Sequence, residues 1–499
     1  MPAAVQTIWD IIVYILGWLV DNLVIVNIFL SIVIIFFERR DPQTVWAWLL
    51  VLYFIPVVGI VFYFIFGQDF RKSRMFRMKE VEDAISSEIR HQEEDIVSNR
   101  FYKLKDGYKD YEDIILYNLE TSSAVFTDDN QVEVFTDGRK KFEALARELA
   151  KAEKFIHLQY YIIKPDEAFD MIKPVLIEKA KAGVDVRILF DSMGCRNMHR
   201  KHWKPLVEAG VQLAEFFPAK FKLLPLRINY RNHRKLVIID GKVGFVGGFN
   251  IGREYLGMDS YFQYWRDTHL MINGSAVQAL NVRFVLDWNF VTKQNLFQEN
   301  YFLNREKVEP RYDFPYHGVG MQVLSSGPDS MAQNIRNNYI RMIHKAKKRI
   351  YIQTPYFIPD EPVLSAIQIA AVSGVDVRIM IPCKPDHMFV YWATYSYIND
   401  LLEAGAKCYT YEPGFLHAKG ITIDGVISCF GTANMDIRSF KLNFEVNAIL
   451  YDRNVTQCLE RAFEKDLEEC TQITSLEYAQ RSRIIRFKEQ ISRLLSPLI

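Results

Sequence analysis

His233-Arg-Lys235-Leu-Val-Ile-Ile-Asp240-Gly-Lys-Val-Gly-Phe-Val-Gly247-Gly248-Phe-Asn250 and His417-Ala-Lys419-Gly-Ile-Thr-Ile-Asp424-Gly-Val-Ile-Ser-Cys-Phe-Gly431-Thr432-Ala-Asn434 are two copies of one pattern. Both read HxKxxxxD, followed after six residues by a glycine-containing turn that ends in asparagine. At ordinary residue frequencies HxKxxxxD matches about one position in ten thousand, so two equivalent matches are not a coincidence of composition. The apolar runs on either side of Asp240-Gly241 and Asp424-Gly425 predict β-hairpins closed by an Asp-Gly turn. Side chains alternate along a strand, so His233 and Lys235 should share one face, as should His417 and Lys419. Asp240 and Asp424 belong to the motif and so enter the catalytic set with the histidines and lysines. Their odd offset at a turn nevertheless predicts a structural duty, bonding the turn or a neighbouring cation.

Outward from these motifs the duplication continues. Ile156-His-Leu-Gln-Tyr-Tyr-Ile162 resembles Ile350-Tyr-Ile-Gln-Thr-Pro-Tyr-Phe357, and Ala182-Gly-Val-Asp-Val-Arg-Ile-Leu-Phe190 resembles Ser373-Gly-Val-Asp-Val-Arg-Ile-Met-Ile381. Leu206-Val-Glu-Ala-Gly210 matches Leu401-Leu-Glu-Ala-Gly405. Each copy alternates helix-period stretches, such as 139–153, with short β-branched runs, which predicts an α/β layer structure with helices packed on a sheet. Two copies predict a pseudo-twofold pair of domains, 107–310 and 311–499, with a shared site at their seam.

Two histidines, two lysines and two asparagines suit a phosphodiester. Ammonium groups and the amides of Asn250 and Asn434 can hold non-bridging oxygens and stabilise the charge that develops on them. One imidazole can attack phosphorus while the other protonates the leaving alcohol, and a pKa near 6.5 suits both tasks. This inventory requires no metal and no cofactor. HExxH is absent, and the spacing of His199 and His202 is too weak a pattern to define a metal site.

The first 70 residues have a different character. Residues 11–20 and 23–37 are apolar runs separated by Asp21-Asn22 and broken only by Asn27 and Ser31, and 45–66 carries no charge. A helix crossing the hydrocarbon needs about 20 residues, so 1–68 is expected to be a transmembrane helical hairpin with spans near 11–37 and 45–66. Glu38-Arg39-Arg40-Asp41-Pro42 forms the polar turn. Arg71, Lys72, Arg74, Arg77 and Lys79 follow the second span, and no basic residue precedes the first. The positive-inside rule then places both termini, and the catalytic domains, in the cytoplasm. A cleaved signal peptide fits less well, because no basic residues open the chain and a second span follows. Residues 69–106 are highly charged and helix-compatible, as a linker would be. A net charge of +1 and the lack of a basic-aromatic groove argue against a nucleic-acid partner. The six scattered cysteines form no CxxC pair and suit a reducing compartment.

The paired HxKxxxxD…G(G/T)xN motifs resemble those of the phospholipase D superfamily, over essentially everything from Asp137 onward. That resemblance implies two phospholipase D-like domains, with His233 as nucleophile, forming a phosphohistidine, and His417 as general acid. It implies phosphate binding by Lys235, Lys419, Asn250 and Asn434, and a histidine-orienting carboxylate downstream of each motif, which by position is Asp267 and Glu445. Gly248 and Thr432 stand where that superfamily often has serine. Glu38-Arg-Arg-Asp-Pro42, Ala47-Trp-Leu-Leu50, Pro56, Gly59 and Phe66-Gly67 resemble the anchor of bacterial cardiolipin synthases, as do 228–235 and the tail 493–498. The implied reaction transfers a phosphatidyl group between two phosphatidylglycerol molecules at a bacterial cell membrane, releasing glycerol. The implied partners are therefore phosphatidylglycerol and other membrane lipids, and the sequence leaves room for a homo-oligomer.

Two segments have two readings each. Residues 211–232 carry an insertion rich in Phe, Leu and Lys, which is either an acyl-contact element or a loop packed on its own domain. Residues 481–499 mix Ile484, Ile485, Ile491, Leu494 and Leu495 with Arg481, Arg483, Arg486, Lys488 and Arg493. They form either a basic amphipathic helix on anionic lipid or a helix docked on the protein. The rival functions are another phospholipase D-type transferase or hydrolase and, from a different class, a non-catalytic membrane scaffold.

Overall fold

The computed structural model describes residues 14, 17–18, 21–36, 42–55, 59–60, 63, 108–217, 230–298, 301–302, 310–330 and 332–496. The expected linker 69–106 lies outside these residues, as does most of the 211–232 insertion. The chain divides into two compact units, an N-terminal one and the body that carries both motifs.

In the N-terminal unit, helices α1 (Leu23–Phe36) and α2 (Pro42–Phe54) pack together. Their contact is a small apolar cluster of Leu30, Ile34, Trp48 and Leu52 with Ile60 and Tyr63. The two polar residues that interrupt the first apolar run both have work there. Asn27 Nδ2 donates across the pair to the Leu52 carbonyl at 2.9 Å, and Ser31 Oγ donates back to the Asn27 carbonyl at 2.7 Å. The outward residues, among them Ile25, Phe29, Phe36, Trp46 and Tyr53, are apolar and exposed. Of the span predicted over 45–66, α2 covers the part to Phe54, helix is described again at 59–60, and 56–58 lie outside the described residues. Among the described residues no helix is long and apolar enough to cross a membrane.

The body is built on one mixed sheet. Its first half contributes β1 (Thr127–Phe135), β2 (Phe155–Tyr160), β3 (Asp185–Asp191), β4 (Gln212–Phe216), β5 (Arg231–Asn232), β6 (Leu236–Ile239), β7 (Val243–Gly247), β8 (Trp265–Arg266) and β9 (His269–Asn273). Its second half contributes β10 (Tyr316–Ser326), β11 (Arg349–Gln353), β12 (Phe357–Ile358), β13 (Asp376–Pro382), β14 (Lys407–Tyr411), β15 (Phe415–Leu416), β16 (Gly420–Ile423), β17 (Ile427–Gly431), β18 (Met435–Asp436), β19 (Asn443–Tyr451) and β20 (Cys470–Ile473). The strand order of the sheet is β4-β3-β2-β6-β7-β9-β1, then β10-β19-β17-β16-β11-β13-β14-β20, with β5 beside β19, while β8 pairs with β15 and β12 with β18 outside the sheet. Each half repeats the other about the central antiparallel β1–β10 pair, with the β9–β1 contact of one replaced by β19–β10 in the other. Helices α3 (Glu112–Ser122), α4 (Gly138–Leu149), α5 (Ala276–Thr292), α6 (Asn334–Lys345), α7 (Met388–Glu403), α8 (Arg453–Leu467) and α9 (Arg483–Leu495) surround the sheet. A central apolar cluster unites the halves, mixing Val132, Leu280 and Trp288 with Val319, Val446 and Leu459.

The two Asp-Gly hairpins form as the sequence indicates. β6 pairs with β7 and β16 with β17 in antiparallel register. Asp240 and Gly241 lie at φ 54° and 68°, Asp424 and Gly425 at 55° and 70°, the left-handed pair of a type I′ turn.

Candidate active site

The histidines sit just ahead of the hairpins, not on them. Both 233–235 and 417–419 are extended segments between a two-residue strand and the hairpin strand. Each short strand crosses to the opposite half of the body. β5 runs parallel to the start of β19, and the His233 N–H donates to the Phe444 carbonyl at 2.9 Å. β15 runs parallel to β8, and the His417 N–H donates to the Arg266 carbonyl at 2.7 Å. Each histidine is therefore threaded beside the residue that follows the paired stretch of the other half. Those residues are Glu445 for His233 and Asp267 for His417.

The side chains complete the crossing. His233 Nδ1 lies 2.9 and 3.0 Å from the two Glu445 carboxylate oxygens. His417 Nδ1 lies 2.5 Å from Asp267 Oδ2. Lys419 Nζ also lies 2.7 Å from that Nδ1, but one ring nitrogen has one role at a time. The carboxylate is the stronger acceptor, so Nδ1–H belongs to Asp267, and the lysine donates to the His417 main-chain carbonyl. Lys235 Nζ does the same to the His233 carbonyl at 2.6 Å. With Nδ1–H committed to a carboxylate in both rings, the lone pair of each neutral imidazole falls on Nε2.

Burial governs the charges. His233 and His417 retain 8% and 7% exposure, while Lys235, Lys419, Asp267 and Glu445 retain 1% or less. Desolvation lowers the His233 pKa, Glu445 pulling it up and Lys235 pushing it down. Desolvation, then Lys419, takes His417 down to about 3 against the pull of Asp267. Burial lowers Lys235 to about 7 and Lys419 to about 8, each ammonium further depressed or raised by its charged neighbours. Desolvation alone would raise both carboxyls; Lys419 and His417 outweigh it at Asp267, and His233 with Lys235 outweighs it at Glu445, so both stay low. Lys419 acts on His233 and Lys235 on His417, so the two half-sites share one electrostatic environment. Two buried carboxylates thus stay ionised beside two lysines and two histidines whose protonated forms burial disfavours.

Asn250 and Asn434 close the motifs. Asn250 accepts the Ile162 N–H at 3.2 Å and donates to the Tyr255 phenol oxygen at 3.0 Å. That phenol oxygen is 3.3 Å from His417 Nδ1, which brings Asn250 to the His417 side of the site. Asn434 donates to Asp436 at 3.2 Å, and its buried Oδ1 has no hydrogen-bond partner among the described residues. Gly248 and Thr432 differ for a physical reason. The Thr432 hydroxyl donates to Glu445 Oε2 at 2.6 Å, whereas a Cβ on Gly248 would overlap the Asp267 carboxylate.

Asp240 and Asp424, which motif membership puts in the catalytic set and whose offset at a turn predicts a structural duty, bond main-chain groups. The Asp240 carboxylate accepts the backbone N–H groups of Glu153, Lys154 and Phe155, each at 2.8 Å. Asp424 accepts those of Lys347, Lys348 and Arg349, again each at 2.8 Å. Both pin the hairpin turn to the start of the adjacent strand, and neither bonds an imidazole.

A second layer has no counterpart in the motif reading. Arg234 Nε donates to the main-chain carbonyl of Glu445 at 3.3 Å, and its Nη1 pairs with Asp287 at 2.6 Å. Arg266 Nη1 donates to the carbonyl of Asp267 at 2.5 Å, and its Nη2 pairs with Asp466 at 2.8 Å. Asp287 and Asp466 in turn accept from Gln159 at 2.6 Å and Gln353 at 2.9 Å. In each half-site a glutamine and an aspartate hold an arginine, and the arginine holds the backbone of the orienting carboxylate. The duplicated segments show the repeated Gln159 and Gln353 but not the arginines, since both lie in the first copy, where the second has Ala418 and Phe444. His199 and His202 simply start a helix, the His199 N–H donating to His202 Nδ1 at 3.2 Å. Among the described residues no cluster of three metal-ligating side chains occurs.

Comparison with known proteins agrees with this arrangement. A family model described as cardiolipin synthase, phospholipase D-like domain matches residues 145–288 and 339–467, one segment in each half. A phospholipase D-nuclease N-terminal model matches 25–68. The chain is 50% identical to the major cardiolipin synthase ClsA of Bacillus subtilis (strain 168), over 95% of this chain and 98% of that one. It is 47% identical to the cardiolipin synthase of Oceanobacillus iheyensis, again over 95% and 98%. Among solved structures it resembles the phosphatidylserine synthase of Haemophilus influenzae Rd KW20 in fold, with TM-score 0.55 and 14% identity over 74% of this chain and 95% of that one. With its duplicated motif, its crossed histidine–carboxylate pairs and these relatives, the chain belongs to the bacterial cardiolipin synthase family of the phospholipase D superfamily.

Proposed function

We propose that the chain makes cardiolipin from two molecules of phosphatidylglycerol through a phosphohistidine at His233. The observation that carries this reading is the crossing of the two halves, which gives each of two neighbouring imidazoles its own carboxylate. His233 Nε2 attacks phosphorus, and the bond from phosphorus to the glycerol oxygen breaks. His417 supplies the proton that the departing glycerol takes. The free hydroxyl of a second phosphatidylglycerol then attacks the phosphohistidine, His417 removes its proton, and His233 is released as cardiolipin forms.

Charge makes the order of events intelligible. Burial and the lysines keep His417 neutral, so a proton is held there only when a phosphodiester brings its negative charge. That anion raises the pKa of His417 and of both lysines together. Lys235, Lys419, Asn250 and Asn434 are the groups for the non-bridging oxygens, and the orphaned Oδ1 of Asn434 is suited to a substrate hydroxyl. Burial of both rings keeps bulk water from competing with a lipid alcohol. One phosphodiester replaces another, so the reaction runs near equilibrium and reverses with added glycerol.

The N-terminal hairpin anchors the enzyme in a bacterial cell membrane, with the duplicated domains on the cytoplasmic side. Its exposed apolar surface and the basic run after it support this, and a packed core would instead have buried those side chains. Purified full-length protein in phosphatidylglycerol vesicles should release glycerol and cardiolipin in equal amounts. Phosphatidic acid as the main product would make the enzyme a hydrolase and overturn the proposal.

A further inference from the structure

Helix α9 is turned inside out. Among its residues, Glu489 and Ser492 are buried, at 2% and 1% exposure, and Ser496 just beyond is buried with them. This polar face docks on α7 through Arg493, which donates to Asp400 at 2.6 Å and to the Ser396 carbonyl at 3.2 Å. Arg481 reaches Glu489 at 2.5 Å, so the buried carboxylate is paired. The opposite face is apolar and faces solvent, with Ile484, Phe487 and Leu494 at 68%, 67% and 71% exposure and Ile491 beside them. Positions 484, 487, 491 and 494 form one stripe at helical spacing. Exposed Arg483 and Arg486 border it on one side. Lys488 borders it on the other, its Nζ 4.7 Å over the Trp392 ring.

A soluble helix normally buries the face that this one displays. Four large apolar side chains in a row, held outward by a specifically bonded polar face, mark a surface made for a partner. The basic borders choose among partners: cations on both flanks of an apolar stripe match an apolar layer lying beneath a layer of negative headgroups.

We propose that α9 seats the stripe Ile484, Phe487, Ile491 and Leu494 in the acyl boundary of an anionic bilayer, with Arg483, Arg486 and Lys488 at the phosphates. The helix is then a docking element of the catalytic body itself; its benefit to turnover rests on the lipid-substrate reading above, while its contact with lipid does not. Of the two readings of this segment, docking on the protein holds for the polar face, and lipid contact is proposed for the apolar one.

The test uses the full chain with photoreactive p-benzoylphenylalanine in place of Phe487, reconstituted in phosphatidylglycerol or phosphatidylcholine vesicles. Illumination should attach lipid to the helix, several-fold more in the anionic vesicles. Attachment chiefly to a second copy or another segment of the chain, or no lipid adduct, overturns the proposal. A companion variant, Ile484→Gln/Phe487→Gln/Leu494→Gln, should lose roughly 5-fold or more of its rate on vesicle phosphatidylglycerol. Its rate on soluble short-chain phosphatidylglycerol should be unchanged, and an equal effect on both substrates counts against the helix. Should the unaltered chain make no cardiolipin at all, the functional reading fails while the crosslink still reports on α9.

Discussion

Lys235 and Lys419 carry the sharpest expectation at the level of single residues. An ordinary lysine stays charged to about pH 10, but burial brings these two to about 7 and about 8. Each is charged below its pKa and neutral above it, so the affinity of the free enzyme for a phosphodiester should fall as pH rises through that window. Inhibition by a short-chain phosphodiester analogue, followed from about pH 6 to about pH 9.5, reports it; a flat profile would show the ammoniums unperturbed. Gly248 gives a steric expectation. Gly248→Ser restores the residue common in the superfamily but must displace Asp267, so kcat should drop on the order of 10²-fold by misorienting His417. Thr432→Val acts on the other half-site by removing the hydroxyl bond to Glu445.

Within the elements, Arg234 and Arg266 fix the backbone of the two orienting carboxylates by bonding the Glu445 and Asp267 carbonyls. Asp287→Ala leaves the buried Arg234 without its ion pair and should lower stability by about 3 kcal/mol, seen in chemical denaturation. A loss within error of zero would mean that Ser325 and the Glu445 carbonyl suffice to hold the guanidinium. At this scale the limits of the sequence are clear. Asp-Gly at 240–241 and 424–425 announces its own hairpin, because the turn conformation is a local property of those two residues. The pairing of His233 with Glu445 is not local, since 212 residues separate them. Position marked Asp267 and Glu445 as orienting groups, but only the crossed β5–β19 and β15–β8 pairs show which imidazole each one serves. For the same reason the histidines were expected on the hairpin strands; the segments that carry them leave the sheet to bridge the halves.

For the whole molecule, the repeat made two α/β halves legible, whereas their union in one sheet through β1 and β10 depends on edge strands that no motif marks. The central cluster joins Trp288 and Val132 to Val446 and Leu459, so a half expressed alone exposes apolar surface and lacks one member of each pair, the carboxylate of one and the histidine of the other. Residues 107–310 and 311–499 should therefore be insoluble or inactive apart and recover turnover when co-expressed with the N-terminal hairpin attached. The most direct measurement is acid-quenched trapping with phosphatidylglycerol labelled at phosphorus, followed by peptide mapping of the labelled residue. Label should appear on His233, and His233→Ala should abolish it; label on His417 instead, or an enzyme that turns over with no phosphohistidine, would contradict a nucleophile at His233 served by Glu445 from the opposite half.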